Sequence, residues 1–178
     1  MLERDNTVLV LVDVQAKLVP AMAEPDALID GVRKLVRGMG VLGIPVVWTE
    51  QNPAGLGPTV AEVAELLTGE PITKTAFGCC GQPAFVDALA GVGRKQVLLA
   101  GIEAHVCVYQ TACGLLDAGY EVQVVADAIG SRLPSNKAIA CAKMAAAGAA
   151  ITSVEMALFE LLAVAEGPEF KDILKIVK

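Results

Sequence analysis

Apolar and polar positions follow two rhythms along the chain. Thr7-Val8-Leu9-Val10-Leu11-Val12 is an unbroken β-branched and leucine run ending at Asp13, the pattern of a strand buried on both faces. From Ala27 to Leu42 the apolar residues Leu28, Val32, Leu35, Val36 and Met39 return at helical spacing. Gly43-Ile44-Pro45 stops that helix before a second apolar run, Val46-Val47-Trp48. Pro58 opens a helix through Leu67, Pro71 to Lys74 is a short third strand, and Gln82-Pro83 starts a helix to about Leu89. Gln96 to Ala100 is the fourth strand, followed by a helix from near His105 to Ala118 that Gly119 closes. Glu121 to Ala126 is a fifth strand, Ser135 to Ala147 a helix with a Ser-Asn start signal, and Ala150 to Val154 a sixth strand. The tail Phe170 to Lys178 has the spacing of a short amphipathic helix packed on the body.

Strand and helix alternate with short connections, the rhythm of a three-layer α/β fold with a parallel sheet and right-handed crossovers. With no repeat, linker or low-complexity tract, residues 1–178 are expected to form one domain. At 54% hydrophobic and 19% charged, the chain is not disordered, and its surface is expected to be apolar enough for homo-oligomerisation. A net charge of −6 without a basic run lacks the attraction that nucleic acid binding rests on. No apolar stretch approaches the ~20 residues that cross a bilayer, and the N-terminus does not read as a signal peptide. Five cysteines without regular spacing read as reduced thiols, so a cytoplasmic protein with a small-molecule substrate is expected.

In open parallel sheets ligands bind beyond the carboxyl ends of the strands, where the strand order reverses. That edge collects Asp13 after strand one, Trp48-Thr49-Glu50 at the end of strand two, Lys74 after strand three, and Gly101 to Cys107 after strand four. An acid, an ammonium and a thiol converge there. At the first turn of a helix, beside Lys74, Cys107 is expected to be a stabilised thiolate nucleophile, with Asp13 as base and helix-start N–H groups holding an oxyanion. His105, the only histidine, stands two residues from Cys107 on a helix and points elsewhere; it is expected as a packing or hydrogen-bonded neighbour. One histidine and cysteines 79, 80, 107, 113 and 141, with no CxxC pair, give little support to metal binding. Cys79-Cys80 reads as a turn with ordinary thiols, a role for Cys80 near Lys74 remaining open.

These residues carry a resemblance. Asp13-Val14-Gln15, Lys74-Thr75-Ala76-Phe77 and Gly101-Ile102-Glu103-Ala104-His105-Val106-Cys107-Val108, in that order, resemble the isochorismatase-like cysteine hydrolases, closest to the isochorismatase domain-containing subgroup. The resemblance implies a Rossmann-like fold with a six-stranded parallel sheet of order 3-2-1-4-5-6 and a catalytic triad of Asp13, Lys74 and Cys107. It further implies a cis Ile102–Glu103 bond, with an oxyanion hole from the N–H groups of Glu103 and Cys107. Gln15, Trp48 and Phe77 are candidate substrate-binding residues. Nicotinamidases of this superfamily bind a metal through an aspartate and histidines after strand two, where this chain has no histidine, and isochorismatase proper uses no cysteine nucleophile. The implied activity is cofactor-free and metal-independent hydrolysis of a small amide or related C–N bond through an acyl-cysteine. The alternative is a non-catalytic oligomeric binding or scaffold protein that keeps the hydrolase fold. A phosphoacceptor receiver fails because strand three ends in Lys74 rather than aspartate, and a nucleotide-dependent oxidoreductase fails because no glycine-rich turn follows strand one.

Overall fold

The computed structural model describes residues 1–178. Six strands, β1 (Thr7–Val12), β2 (Val46–Gln51), β3 (Ile72–Lys74), β4 (Gln96–Ile102), β5 (Glu121–Gly130) and β6 (Ala150–Thr152), form one sheet. Its order is β3-β2-β1-β4-β5-β6 and every pairing is parallel. The order therefore reverses between β1 and β4, which places a crevice at the carboxyl ends of those two strands.

Side-chain parity divides the core into two layers. From β1, Leu9 and Leu11 pack with α1 (Pro25–Leu42) and the later helices α7 (Val154–Leu162) and α8 (Gly167–Val177). Val8, Val10 and Val12 point the other way, toward α4 (Pro83–Val92), α5 (Tyr109–Asp117) and α6 (Pro134–Ala146). The remaining helices are single turns, α2 (Pro53–Leu56) and α3 (Ala61–Ala64), so the helix expected from Pro58 to Leu67 is mostly turn. That segment is held by contacts that compete with helix formation: Val60 N–H donates to the Val14 carbonyl, and Glu50 Oε1 accepts from both Thr59 N–H and its hydroxyl.

Other boundaries move for local reasons. Strand β5 runs on to Gly130, beyond the expected Ala126, with a register shift against β4 between Leu99 and Gly101. The expected Ser-Asn start of α6 is not its cap; Pro134 sits at the first position and Leu133 precedes it without a side-chain bond. Residues expected to extend β6 instead begin α7, where the Ser153 side chain accepts from Met156 N–H at 3.2 Å. The tail forms α8, whose Ile173 and Ile176 are buried in the same layer as α1, as its amphipathic spacing predicts. No helix is long and apolar enough to cross a membrane.

Candidate active site

The switch point brings Asp13, Lys74 and Cys107 together. Asp13 ends β1 in the left-handed backbone region, φ 51°, a conformation that costs a non-glycine residue about 1–3 kcal/mol and that the surroundings must hold. Across the sheet from the preceding Val12 is Gly101, at φ 114°, where any side chain would run into the Val12 backbone. Glycine there lets β4 lie against the end of β1 and start the nucleophile turn beside the acid. The Ile102–Glu103 bond is cis. Ala104–Val108 follows as a π-helical turn before α5, and the Glu103 carbonyl accepts from both Val106 and Val108 N–H.

Asp13 and Lys74 have fully buried side chains and form an ion pair, Lys74 Nζ donating to Asp13 Oδ2 at 2.6 Å. The other carboxylate oxygen, Oδ1, accepts from the Thr49 hydroxyl at 2.7 Å. Lys74 also donates toward Gln51 Oε1 (2.9 Å) and the carbonyls of Phe77 (3.0 Å) and Ala76 (3.2 Å). Three N–H bonds face four acceptors, so the ammonium is fixed and internally saturated. Gln51 is itself held at both ends. Gln15 exchanges side-chain bonds with its backbone, Gln15 Nε2 to the Gln51 carbonyl at 3.0 Å and Gln51 N–H to Gln15 Oε1 at 2.7 Å. Gln51 Nε2 donates to the Thr75 carbonyl at 2.8 Å.

The Cys107 thiol differs from the thiolate expected of a helix start. It is 8% exposed, and its pKa is pushed up to about 12. Burial is the main cause; Lys74 lowers it, while the Asp13 charge and a hydrogen bond to the Asp13 carboxylate raise it again. Burial outweighs the lysine charge, so the resting thiol keeps its proton beside that carboxylate.

Of the three expected substrate contacts, Trp48 and Gln15 are buried in other settings and Phe77 is exposed. Trp48 packs in the layer opposite Cys107, because it is one residue out of phase with Thr49 along β2. Gln15 is fully buried and its amide is consumed by Gln51 and the Gly57 carbonyl, so it braces the β1 and β2 ends rather than facing a ligand. Phe77 is 56% exposed, and its backbone carbonyl accepts from Lys74. The Glu103 carboxylate accepts from Arg132 N–H and Nε, both at 3.1 Å. His105 is a hydrogen-bonded neighbour, Nδ1 lying 3.0 Å from Ser131 Oγ and Nε2 3.4 Å from Asn136 Nδ2. A cavity of about 190 Å³ lies beyond Ser131, between Met22, Leu28, Ile129 and Lys137, and the thiol does not line it. No three His, Cys, Asp or Glu side chains are grouped to hold a metal ion.

Sequence reasoning placed Thr49 at this edge without a partner, read Cys79 as an ordinary turn thiol, and gave Gln51 and Thr111 no role. Thr111 Oγ donates to the Cys107 carbonyl at 2.7 Å and accepts Cys79 N–H at 2.9 Å, while Cys79 Sγ lies 3.7 Å from Thr49 Oγ. The four-residue spacing of Cys107 and Thr111 was a usable signal, since a threonine commonly bonds the carbonyl one turn back. The reach of Thr49 to Asp13 depends on strand register and had none.

A family model described as the isochorismatase domain matches residues 7–156. The chain is 41% identical over 169 residues to isochorismatase domain-containing protein 1 of Danio rerio, covering 93% of this chain and 59% of that protein. It thus spans less than two thirds of that relative. It is 36% identical over 175 residues to isochorismatase domain-containing protein 2A of Mus musculus, covering 98% and 84%. Among solved structures it is similar to MAR1 ribonuclease from Caenorhabditis elegans (TM-score 0.92, 36% identity, 99% and 91% covered). It is also similar to the YcaC gene product of Escherichia coli, described as an octameric hydrolase of unknown specificity (TM-score 0.93, 26% identity, 98% and 89% covered). YcaC from Pseudomonas aeruginosa, in a structure with hexane-2,5-diol and covalent acrylamide, matches with TM-score 0.93 and 28% identity over 98% and 90% of the two chains.

Proposed function

Given that the chain belongs to the isochorismatase family, we propose that it is a cysteine hydrolase of small amides or related C–N bonds, acting through an acyl-Cys107 intermediate. The observation that carries this reading is the buried Asp13–Lys74 pair, whose carboxylate also accepts from Thr49 and acts on the nearby Cys107 thiol. Covalent acrylamide in the Pseudomonas aeruginosa relative supports nucleophilic chemistry on this fold.

The buried, protonated thiol sets the order of events. Asp13 removes the Cys107 proton as sulfur attacks the carbonyl carbon, so charge is not built up on an isolated thiolate. The N–H groups of Glu103 and Cys107 receive the oxyanion. On collapse the C–N bond breaks, and Asp13 passes the same proton to the leaving amine. Water then gives a proton to Asp13 as its oxygen attacks the thioester; the C–S bond breaks, the acid leaves and Cys107 is reprotonated. Lys74, with no N–H to spare, acts by its charge and by holding the Asp13 carboxylate in place. The scheme calls on no metal or cofactor.

The exposed apolar side chains Phe77, Leu133, Ile139 and Met156 support homo-oligomerisation, as does the octameric relative. The ribonuclease name of the Caenorhabditis elegans neighbour does not transfer readily, since a chain of charge −6 with a thiol 8% exposed suits a small neutral substrate better than a polyanion. The reading is tested by incubating the protein with a panel of small amides and esters and mapping adducts by mass spectrometry. An acyl group on Cys107, absent from Cys107→Ala, is expected. A panel that labels no cysteine, or labels others equally, would favour the scaffold alternative.

A further inference from the structure

Cys79 is a fully buried free thiol that the mechanism above does not use. It lies on the 3-10 turn Cys79–Gly81 after β3, and two hydrogen-bond chains leave it. In the first, the single proton of the Thr49 hydroxyl goes to Asp13 Oδ1 at 2.7 Å, so at its 3.7 Å contact with Cys79 Sγ the hydroxyl accepts and the thiol donates. In the second, Cys79 N–H donates to Thr111 Oγ at 2.9 Å, and that hydroxyl donates to the Cys107 carbonyl at 2.7 Å. Each threonine thus accepts one hydrogen from Cys79 and gives its own to the acid or to the backbone of the nucleophile. Donors and acceptors in such chains polarise one another in the same sense.

The turn is pressed close to α5. A side-chain carbon at Gly78 would meet Gln110 Cβ at 3.1 Å, and one at Gly114 would meet Cys80 Sγ at 2.9 Å. The turn therefore has little freedom to move independently of the nucleophile helix. Burial pushes the Cys79 thiol up to about 11, against lowering by Thr111, Lys74 and Thr49, so it remains a hydrogen donor at neutral pH. Lys74, Asp13 and Cys107 are the charged and titratable groups that act on it or respond to it.

We propose that Cys79 is a positioning residue, whose thiol and amide, through Thr49 and Thr111, align the Asp13 carboxylate with the Cys107 sulfur for proton transfer. This rests on the hydrolase reading of the same site. Cys79 S–H keeps the Thr49 hydrogen turned toward Asp13 Oδ1, leaving the thiol of Cys107 as the remaining partner of the carboxylate. Cys79 N–H keeps Thr111 turned toward Cys107, fixing the π-helical turn that carries the sulfur.

The test uses acrylamide, whose addition needs the same proton transfer. Asp13 takes the thiol proton as sulfur bonds to the β-carbon and the C=C π bond breaks, and the proton returns to the α-carbon. The rate of adduct formation on Cys107 is followed by mass spectrometry from acid to alkaline pH, with thermal unfolding as a check on fold. Thr49→Val should slow addition roughly tenfold, as expected for loss of a hydrogen bond to a charged group, and move the acid limb of the profile to higher pH. Thr49→Ser should restore both. Cys79→Ala should move the limb in the same direction by less, and Cys79→Ser should return it. Thr111→Val should slow addition without moving the limb, because it touches only the nucleophile backbone. A purely structural role for Cys79 would lower the melting temperature and leave the pH profile in place. Superimposable profiles for the parent, Cys79→Ala and Thr49→Val would overturn the inference while leaving the hydrolase reading intact. Failure of the parent itself to add acrylamide at Cys107 would overturn both.

Discussion

Lys74 Nζ lies 2.6 Å from Asp13 Oδ2, and neither side chain reaches solvent. A buried pair of this kind gives little net stability over an apolar isostere, but removing one partner strands a charge and costs about 3–5 kcal/mol. Lys74→Met and Asp13→Asn are each expected to lower the Tm by roughly 10 °C, taking about 3 °C per kcal/mol for a chain of this length. The double variant should lose less than the sum of the two, because it leaves no unpaired charge. Additive losses in thermal unfolding would mean that the pair is not coupled. All three variants should fail to form the acyl adduct on Cys107.

Gly101 is the point where β4 closes on the end of β1. Gly101→Ala is expected to combine about 1–3 kcal/mol for a left-handed backbone with about 1–3 kcal/mol for overpacking against Val12. Denaturant unfolding should show this loss, with acyl adduct formation falling further than stability does, since the displaced strand carries the nucleophile turn. A Gly101→Ala protein as stable as the parent would contradict the observed register of Val12 and Gly101.

The strands and the site differ in how far the sequence discloses them. Continuous apolar runs such as Val8 to Val12 have few alternatives, so the six strands were legible, and the residues at their carboxyl ends followed from the general rule for parallel sheets. The segment 58–67 was not legible, because its helical spacing lost to long-range bonds from Glu50 and Val14. Asp13, Lys74 and Cys107 could be named as neighbours, but the protonation of Cys107 could not. That depends first on how deeply the thiol is buried, which outweighs the lowering by Lys74, and then on the opposing charge of Asp13. Trp48 was misplaced for a related reason: in a strand buried on both faces, alternation of apolar and polar residues no longer says which face a side chain takes.

Two buried thiols make stability fall at high pH. Cys79 and Cys107 are raised from an ordinary value of 9.0 to about 11 and about 12, so the folded chain holds protons that the unfolded chain releases first. The stability from these groups is complete below pH 9.0 and is lost as pH rises through about 11 and 12. Other groups also titrate in this range, so the informative quantity is a difference between proteins. Thermal unfolding of Cys79→Ala should fall less steeply than that of the parent between pH 9.0 and about 11. Parallel curves would mean that Cys79 ionises freely in the folded protein.

Trp48 offers the converse test, a large aromatic near the site in sequence but not in space. Its Nε1 is the one buried side-chain nitrogen or oxygen without a hydrogen-bond partner. Trp48→Phe removes that unpaired N–H, worth about 1–3 kcal/mol, while the smaller ring gives up packing of similar size. The two effects oppose, so the Tm should change by only a few degrees, whereas Trp48→Ala should cost about 3–5 kcal/mol. Because Trp48 packs in the layer away from Cys107, acyl adduct formation by Trp48→Phe should match that of the parent. A large loss of adduct without a loss of stability would return Trp48 to the substrate pocket and contradict its place in the opposite layer.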